Sequence, residues 1–166
     1  MKAAPHLRED LGHRDLLPAR ALCATRSWIG PASASTGLHR DYLDNLAVQV
    51  LGAKRWRFVR PGAVERMGAE SRKYDPWAVL ADRSVGALAA RADTVRGDFF
   101  SVDLGPGDVL HVPAGWWHEV TNLAPSLMVG SFYGVAPTVL ARMAWVGVRN
   151  FRHRLVGGEC TCHAAP

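Results

Sequence analysis

Cysteine is scarce in this chain: three residues, Cys23, Cys160 and Cys162, among 166. An odd, sparse set argues against the disulfide framework of a small secreted domain and implies a reducing, cytoplasmic setting. Long apolar runs are missing too. The longest near the C-terminus, Met143 to Val148, is far too short to cross a bilayer. Arg8, Glu9 and Asp10 break up the start, which therefore lacks the charged, apolar, small-residue order of a signal peptide. No membrane partner is expected. Acidic residues are the minority charge, with a formal net charge of +5 and a pI of about 9.6. The arginines are scattered rather than clustered, so the balance implies anionic small ligands and not nucleic acid. No internal repeat and no glycine-rich phosphate loop occur.

Glycine and proline are plentiful, at 16 and 10 residues, and many sit in short clusters. That texture implies many turns and an all-β fold. Residues 45–51 and 54–60 are β-like runs separated by Gly52-Ala53 and read as a hairpin. Further β character appears at 99–104, 108–113, 116–123 and 126–134, with Gly105-Pro106-Gly107-Asp108 as a tight turn. With strands near Arg26 to Ile29 and through His39, the count reaches about eight, which suits a jelly roll or small barrel. A short helix is expected around Arg14 to Cys23, and one or two more within 61–98, read as an insertion or lid. From Pro137 to Leu155 strand alternation stops. Val139, Leu140, Met143, Val146 and Gly147 recur at helical spacing, and Pro137 suits a first turn. That stripe packs either on its own domain or against a second copy, which would make a homodimer. The expected division is an N-terminal extension at 1–27, a core at 28–134, and a C-terminal helix and tail at 135–166.

One constellation carries chemistry. In His39-Arg40-Asp41 the imidazole and carboxylate are two residues apart, so an extended backbone turns both to one face. The triplet alone is weak, because His13-Arg14-Asp15 repeats it in a polar stretch with no strand pattern. His39 instead precedes the strands at 45–60, and a second isolated His, His118, stands in Trp116-Trp117-His118-Glu119-Val120. Two imidazoles and one carboxylate leave one face of a metal ion open, the facial triad of non-haem iron(II) oxygenases. Asp44 points away if the strand is regular, and His111 reads as an ordinary strand residue. Cys160-Thr161-Cys162-His163 offers soft ligands, but reads first as a tail without a metal.

The ordered set Trp28-Ile29-Gly30, Thr36-Gly37-Leu38-His39-Arg40-Asp41, Asn45, Gln49 to Arg55, Pro106-Gly107-Asp108, Pro113 and Trp116 to Val120 resembles the cupin-like JmjC domain. That group contains the asparaginyl hydroxylase acting on hypoxia-inducible factor. The resemblance implies a double-stranded β-helix and an iron(II)- and 2-oxoglutarate-dependent dioxygenase. It implies His39, Asp41 and His118 as catalytic metal ligands. Lys54 and Thr36 would meet the distal carboxylate of 2-oxoglutarate, and Asn45 would line the pocket beside it. The implied partners are 2-oxoglutarate, O₂ and a substrate, a protein side chain or a small molecule, that is hydroxylated or demethylated. Where the family often has a late-strand Asn, this chain has Gly130, which is expected to remove a polar contact and leave room.

Other classes fit these residues less well. The Asn that closes a kinase catalytic loop is absent after both His-Arg-Asp triplets, where Arg20 and Leu46 stand. A non-catalytic ligand-binding cupin has no need of the metal set together with Lys54. A metal-dependent cupin that does not use 2-oxoglutarate has no need of Lys54 and Thr36.

Overall fold

The computed structural model describes residues 17–18, 21–91 and 96–161. Its strands are β1 (Ala21–Gly30), β2 (Ser35–Asp41), β3 (Asp44–Leu51), β4 (Lys54–Val59), β5 (Ala78–Leu80), β6 (Phe99–Leu104), β7 (Val109–Val112), β8 (Trp117–Asn122) and β9 (Ser126–Val135). Its α-helices are α1 (Ala63–Arg66), α2 (Val85–Ala89) and α3 (Ala136–Val156). Most of the helix expected around Arg14 to Cys23 lies outside the described residues, and residues 21–23 belong to β1. Paired backbone therefore begins ahead of Trp28, with Ala21 opposite Val135.

Two antiparallel sheets face each other, one ordered β1-β9-β3-β7 and the other β5-β2-β8-β4-β6. Early and late in the chain, successive strands alternate between the sheets, the winding of a double-stranded β-helix. This corrects the hairpin at 45–60. β3 pairs with β7 and β9, whereas β4 pairs with β6 and β8. The Gly52-Ala53 link is a corner between layers, and its backbone shows why. Gly52 has φ +69°, and a Cβ there would stand 2.1 Å from the Pro125 carbonyl oxygen, so only glycine fits. Two β-like runs beside a glycine turn look alike whether they pair or part company.

Alternation on the strands divides the core in two. Ala47, Trp56, Leu104, Val112, Val120 and Met128 pack between the sheets. Leu38, Val59 and Trp117 point outward from the five-stranded sheet and pack with Val64 and Leu88 of α1 and α2. The stretch 61–98 is thus largely the outer cover of one sheet, not a free flap. Ser84 caps α2 by accepting from the Ala87 amide. β5, not anticipated from the sequence, adds to the edge of β2 with Ala78 opposite Asp41 and Leu80 opposite His39. The C-terminal helix is present, with Pro137 in its first turn. No helix among the described residues is long and apolar enough to cross a membrane.

Candidate metal centre

Neighbouring strands of one sheet bring the three expected side chains together. His39 on β2 stands opposite His118 on β8, and their ring centres are 4.3 Å apart. One ligand atom from each of His39, Asp41 and His118 lies within 4.8 Å of the others, and among the described residues they are the one such group of three. His13 and Asp15 lie outside the described residues, as do Cys162 and His163; the backbone of Cys160 bridges to that of Tyr74.

A β-bulge makes this wall. Thr36 and His39 are an odd number of residues apart, so a regular strand would face them oppositely. The register between β2 and β8 shifts between them, with Thr36 opposite Val120 and His39 opposite His118. The extra residue lets both side chains line one cavity. The same bulge supports the imidazole, because His39 Nδ1–H donates to the Gly37 carbonyl at 2.7 Å. His118 Nδ1–H donates likewise to the Trp116 carbonyl at 3.1 Å. A carbonyl only accepts, so each Nδ1 carries a proton, and in the neutral ring that leaves the Nε2 lone pair for a metal.

Electrostatics agree with that tautomer. Burial, with His39 adding to it, pushes the His118 imidazole down to about 3. His118 is therefore neutral near pH 7, and its 3.5 Å approach to Asp41 Oδ2 is not an ion pair. Burial raises the Asp41 carboxyl above its ordinary value; His39 opposes the rise, Asp75 adds to it and Arg26 opposes it. A carboxyl raised in the folded state favours folding in its protonated form, so the metal-free fold loses stability as pH rises through that raised value. Asp41→Asn is therefore expected to raise the melting temperature of metal-free protein at pH 7 by about 2 °C, while the rise given by added Mn(II) disappears. Thermal unfolding with and without the ion reads both effects, and a lower metal-free melting temperature would contradict this account.

The cavity holding these groups has a volume of about 440 Å³ and is also lined by Thr36, Asn45 and Lys54. Lys54 is only 5 % exposed. Its ammonium donates to Asn122 Oδ1 at 2.6 Å, and Asn122 Nδ2 in turn donates to the Pro31 carbonyl at 2.8 Å. Burial lowers the Lys54 ammonium below its ordinary value. No carboxylate pairs with it among the described residues. Asn45 Oδ1 and Trp56 Nε1, in the same wall, are buried without hydrogen-bond partners. Asp44 turns away, accepting from the Ala114 amide. Arg40 turns outward to Glu65 and Glu70, and His111 lies outside the cavity lining.

Gly130 does not leave room. A Cβ there would stand 2.6 Å from Cζ3 of Trp28 and 3.0 Å from Asn45 Oδ1. The indole, reaching across from β1, already fills the space.

α3 supplies cavity-lining residues that sequence reasoning missed, namely Arg142, Met143 and Val146. Arg149 anchors the helix beside the site, donating to the Tyr42 hydroxyl and, at 3.1 Å, to the Asp75 carbonyl. Tyr74 and His153 stack with centres 4.0 Å apart. Helical spacing marked Met143 and Val146 as buried-face residues, but nothing in the sequence said which surface that face covers.

The profile of the cupin-like domain matches residues 2–138. The chain belongs to that family. Human HSPB1-associated protein 1 is 32 % identical over 120 residues, covering 70 % of this chain and 25 % of its own length. Jumonji C domain-containing protein 5 of Drosophila melanogaster is 28 % identical over 108 residues, 65 % of this cupin-like chain and 27 % of its own. The bifunctional arginine demethylase and lysyl-hydroxylase psr-1 of Caenorhabditis briggsae is 31 % identical over 102 residues, 57 % and 25 % of the two chains. The cupin-like chain thus spans about a quarter of the length of these curated relatives. Among solved structures, the ribosomal oxygenase YcfD of Escherichia coli, in complex with cobalt and 2-oxoglutarate, superposes with a TM-score of 0.51. It is 20 % identical and covers 95 % of this chain and 36 % of that one. That likeness shows the shared fold.

Proposed function

We propose that this cupin-like domain is an iron(II)- and 2-oxoglutarate-dependent oxygenase. In this reading His39, Asp41 and His118 hold the ion, and Lys54, Thr36 and Asn45 hold the cosubstrate. The observation that carries it is Lys54: a lysine removed from water, without a carboxylate partner among the described residues, in the same cavity as two imidazoles and a carboxylate. A buried unpaired charge is costly, and an anion in the cavity relieves that cost.

The donor set fits the metal. Two neutral imidazole nitrogens and one carboxylate suit ferrous iron and leave positions for other ligands. The unpartnered Asn45 and Trp56 atoms suit a polar occupant rather than an apolar one. Bound iron(II) with 2-oxoglutarate supplies oxidative decarboxylation to succinate, coupled to hydroxylation of a substrate C–H bond, or demethylation where that carbon sits on nitrogen. The chain's own groups do the rest. Lys54 and the Thr36 hydroxyl fix one end of the dianion, and the Asn45 amide steadies it nearer the triad. The Gly37 and Trp116 carbonyls hold both imidazoles in the tautomer that binds metal, and α3 with Trp28 limits water in the cavity.

Iron-dependent release of labelled succinate from 2-oxoglutarate is the test. Its absence across candidate peptides and small molecules would count against the oxygenase. Iron-dependent turnover of a substrate without succinate would instead point to a cupin enzyme that dispenses with 2-oxoglutarate.

The same reading includes self-association through α3. Leu140, Val148, Phe151 and Leu155 are all exposed and recur at helical spacing. Sedimentation is expected to give twice the chain mass, and Phe151→Glu with Leu155→Glu to return the monomer. A wild-type chain that sediments as a monomer at every concentration removes the dimer from this reading.

A further inference from the structure

Arg26 and Arg142 line the triad's cavity, yet the proposed chemistry assigns neither of them a task. Arg26 stands in step with Ala24 and Trp28 along the inward side of β1, and all three line the cavity. Its guanidinium lies 5.0 Å from the centre of the Trp77 ring. Trp77, which also lines the cavity, is 53 % exposed. Arg142 comes from α3 on the covering side. Both arginines are exposed. Arg26 acts on the Asp41 carboxyl through space, but among the described residues neither arginine closes an ion pair with a carboxylate.

Charge balance says what they are for. Three cationic side chains, Arg26, Lys54 and Arg142, and two carboxylates, Asp41 and Asp75, line the cavity. Asp75 is committed to hydrogen bonds of its own. Its Oδ1 accepts from the Trp77 and Ala78 amides, and its Oδ2 accepts from the Thr161 hydroxyl at 2.7 Å. A divalent ion and a dianionic cosubstrate cancel each other, so the occupied cavity keeps one net positive charge. A monoanion balances it. A phosphate monoester, with close to two negative charges at neutral pH, overshoots. A carboxylate also suits the planar fork of a guanidinium, which binds it through two parallel hydrogen bonds.

We propose that the mouth of the cavity recognises a substrate bearing one carboxylate, held by Arg26 and Arg142 with its carbon skeleton against Trp77. This rests on the oxygenase reading for the reaction, but the arginine pair is tested by binding alone.

Calorimetry on the Mn(II) form with saturating 2-oxoglutarate compares benzoate with benzamide, its neutral analogue of similar shape. Benzoate is expected to bind at least about tenfold more tightly, and Arg26→Gln and Arg142→Gln each to remove about tenfold of its affinity. Equal binding of the two probes, or benzoate affinity unchanged in both variants, overturns the proposal. N-acetylglutamate amide is added as a competitor. Displacement of benzoate assigns the carboxylate to an acidic side chain of a protein, and failure to displace it assigns a small free acid; either result keeps the carboxylate. Binding of 2-oxoglutarate is titrated first on the same samples. If it does not bind, the oxygenase reading falls, and the benzoate comparison, repeated without it, still decides the arginines.

Discussion

His118→Ala is expected to reduce iron-dependent succinate release to background and to erase the stabilisation that a divalent ion gives the fold. His118 is 2 % exposed and packs against His39, Trp56 and Phe58, with ring centres 4.3, 5.4 and 6.1 Å away. Truncation therefore removes a metal ligand and opens a hole. The hole costs about 2–4 kcal/mol, so a change in melting temperature alone cannot reveal the lost ligand. The response to metal can. Saturating Mn(II) is expected to raise the wild-type melting temperature by about 5–10 °C, as a ligand at a hundred times its dissociation constant would. Chelation should reverse that rise. The variant should melt at one temperature with Mn(II) or chelator. If it still gains stability from the ion, His118 is not a ligand and the centre lies elsewhere. Because its imidazole is pushed down to about 3, protons should not compete at His118 itself anywhere near neutral pH. Burial raises the Asp41 carboxyl, so protons should compete with the metal at Asp41 before they do at His118.

Much of this centre was legible from the sequence because its logic is local. A two-residue spacing on a strand turns His39 and Asp41 to one side, and that holds whatever the strand pairs with. The convergence of His118 was not local; it was singled out as a second isolated histidine in a strand-like run, and the resemblance to a family strengthened that choice. Pairing was the hidden variable elsewhere as well. Residues 45–51 and 54–60 have the composition of a hairpin, but the Gly52 corner sends them into different sheets, and only the contact with Pro125 distinguishes the two outcomes. β5 escaped notice because three residues carry no periodicity, and its place is set by the free edge of β2. The space at Gly130 was misjudged for a similar reason. A missing side chain reads as room until a neighbour on another strand, here Trp28, is seen to occupy it. Arg26 and Arg142 had no signal among scattered arginines; a strand and a helix far apart in sequence had to meet before either mattered.

Lys54→Met is expected to separate function from stability in opposite directions. The substitution keeps an unbranched apolar stem and removes the ammonium. That ammonium donates to Asn122 Oδ1 and faces no carboxylate among the described residues, and burial lowers its proton affinity. A lysine whose folded-state value is depressed opposes folding while it stays charged, and this cost fades only as pH rises toward its unfolded value. Methionine removes it, leaves Asn122 Oδ1 without its donor, and on balance should raise the melting temperature of the metal-free chain by about 2 °C. Binding should move the other way. A charge-assisted contact to one end of a dianion is worth about 1.5–3 kcal/mol, so the KM for 2-oxoglutarate should rise about ten- to a hundredfold. Mn(II) binding, which depends on the triad alone, should be unchanged, and that control distinguishes a lost cosubstrate contact from a damaged metal site. Should Lys54→Met turn over 2-oxoglutarate with wild-type KM, the lysine is a structural partner of Asn122, and the cosubstrate, if one is used, is held by other groups.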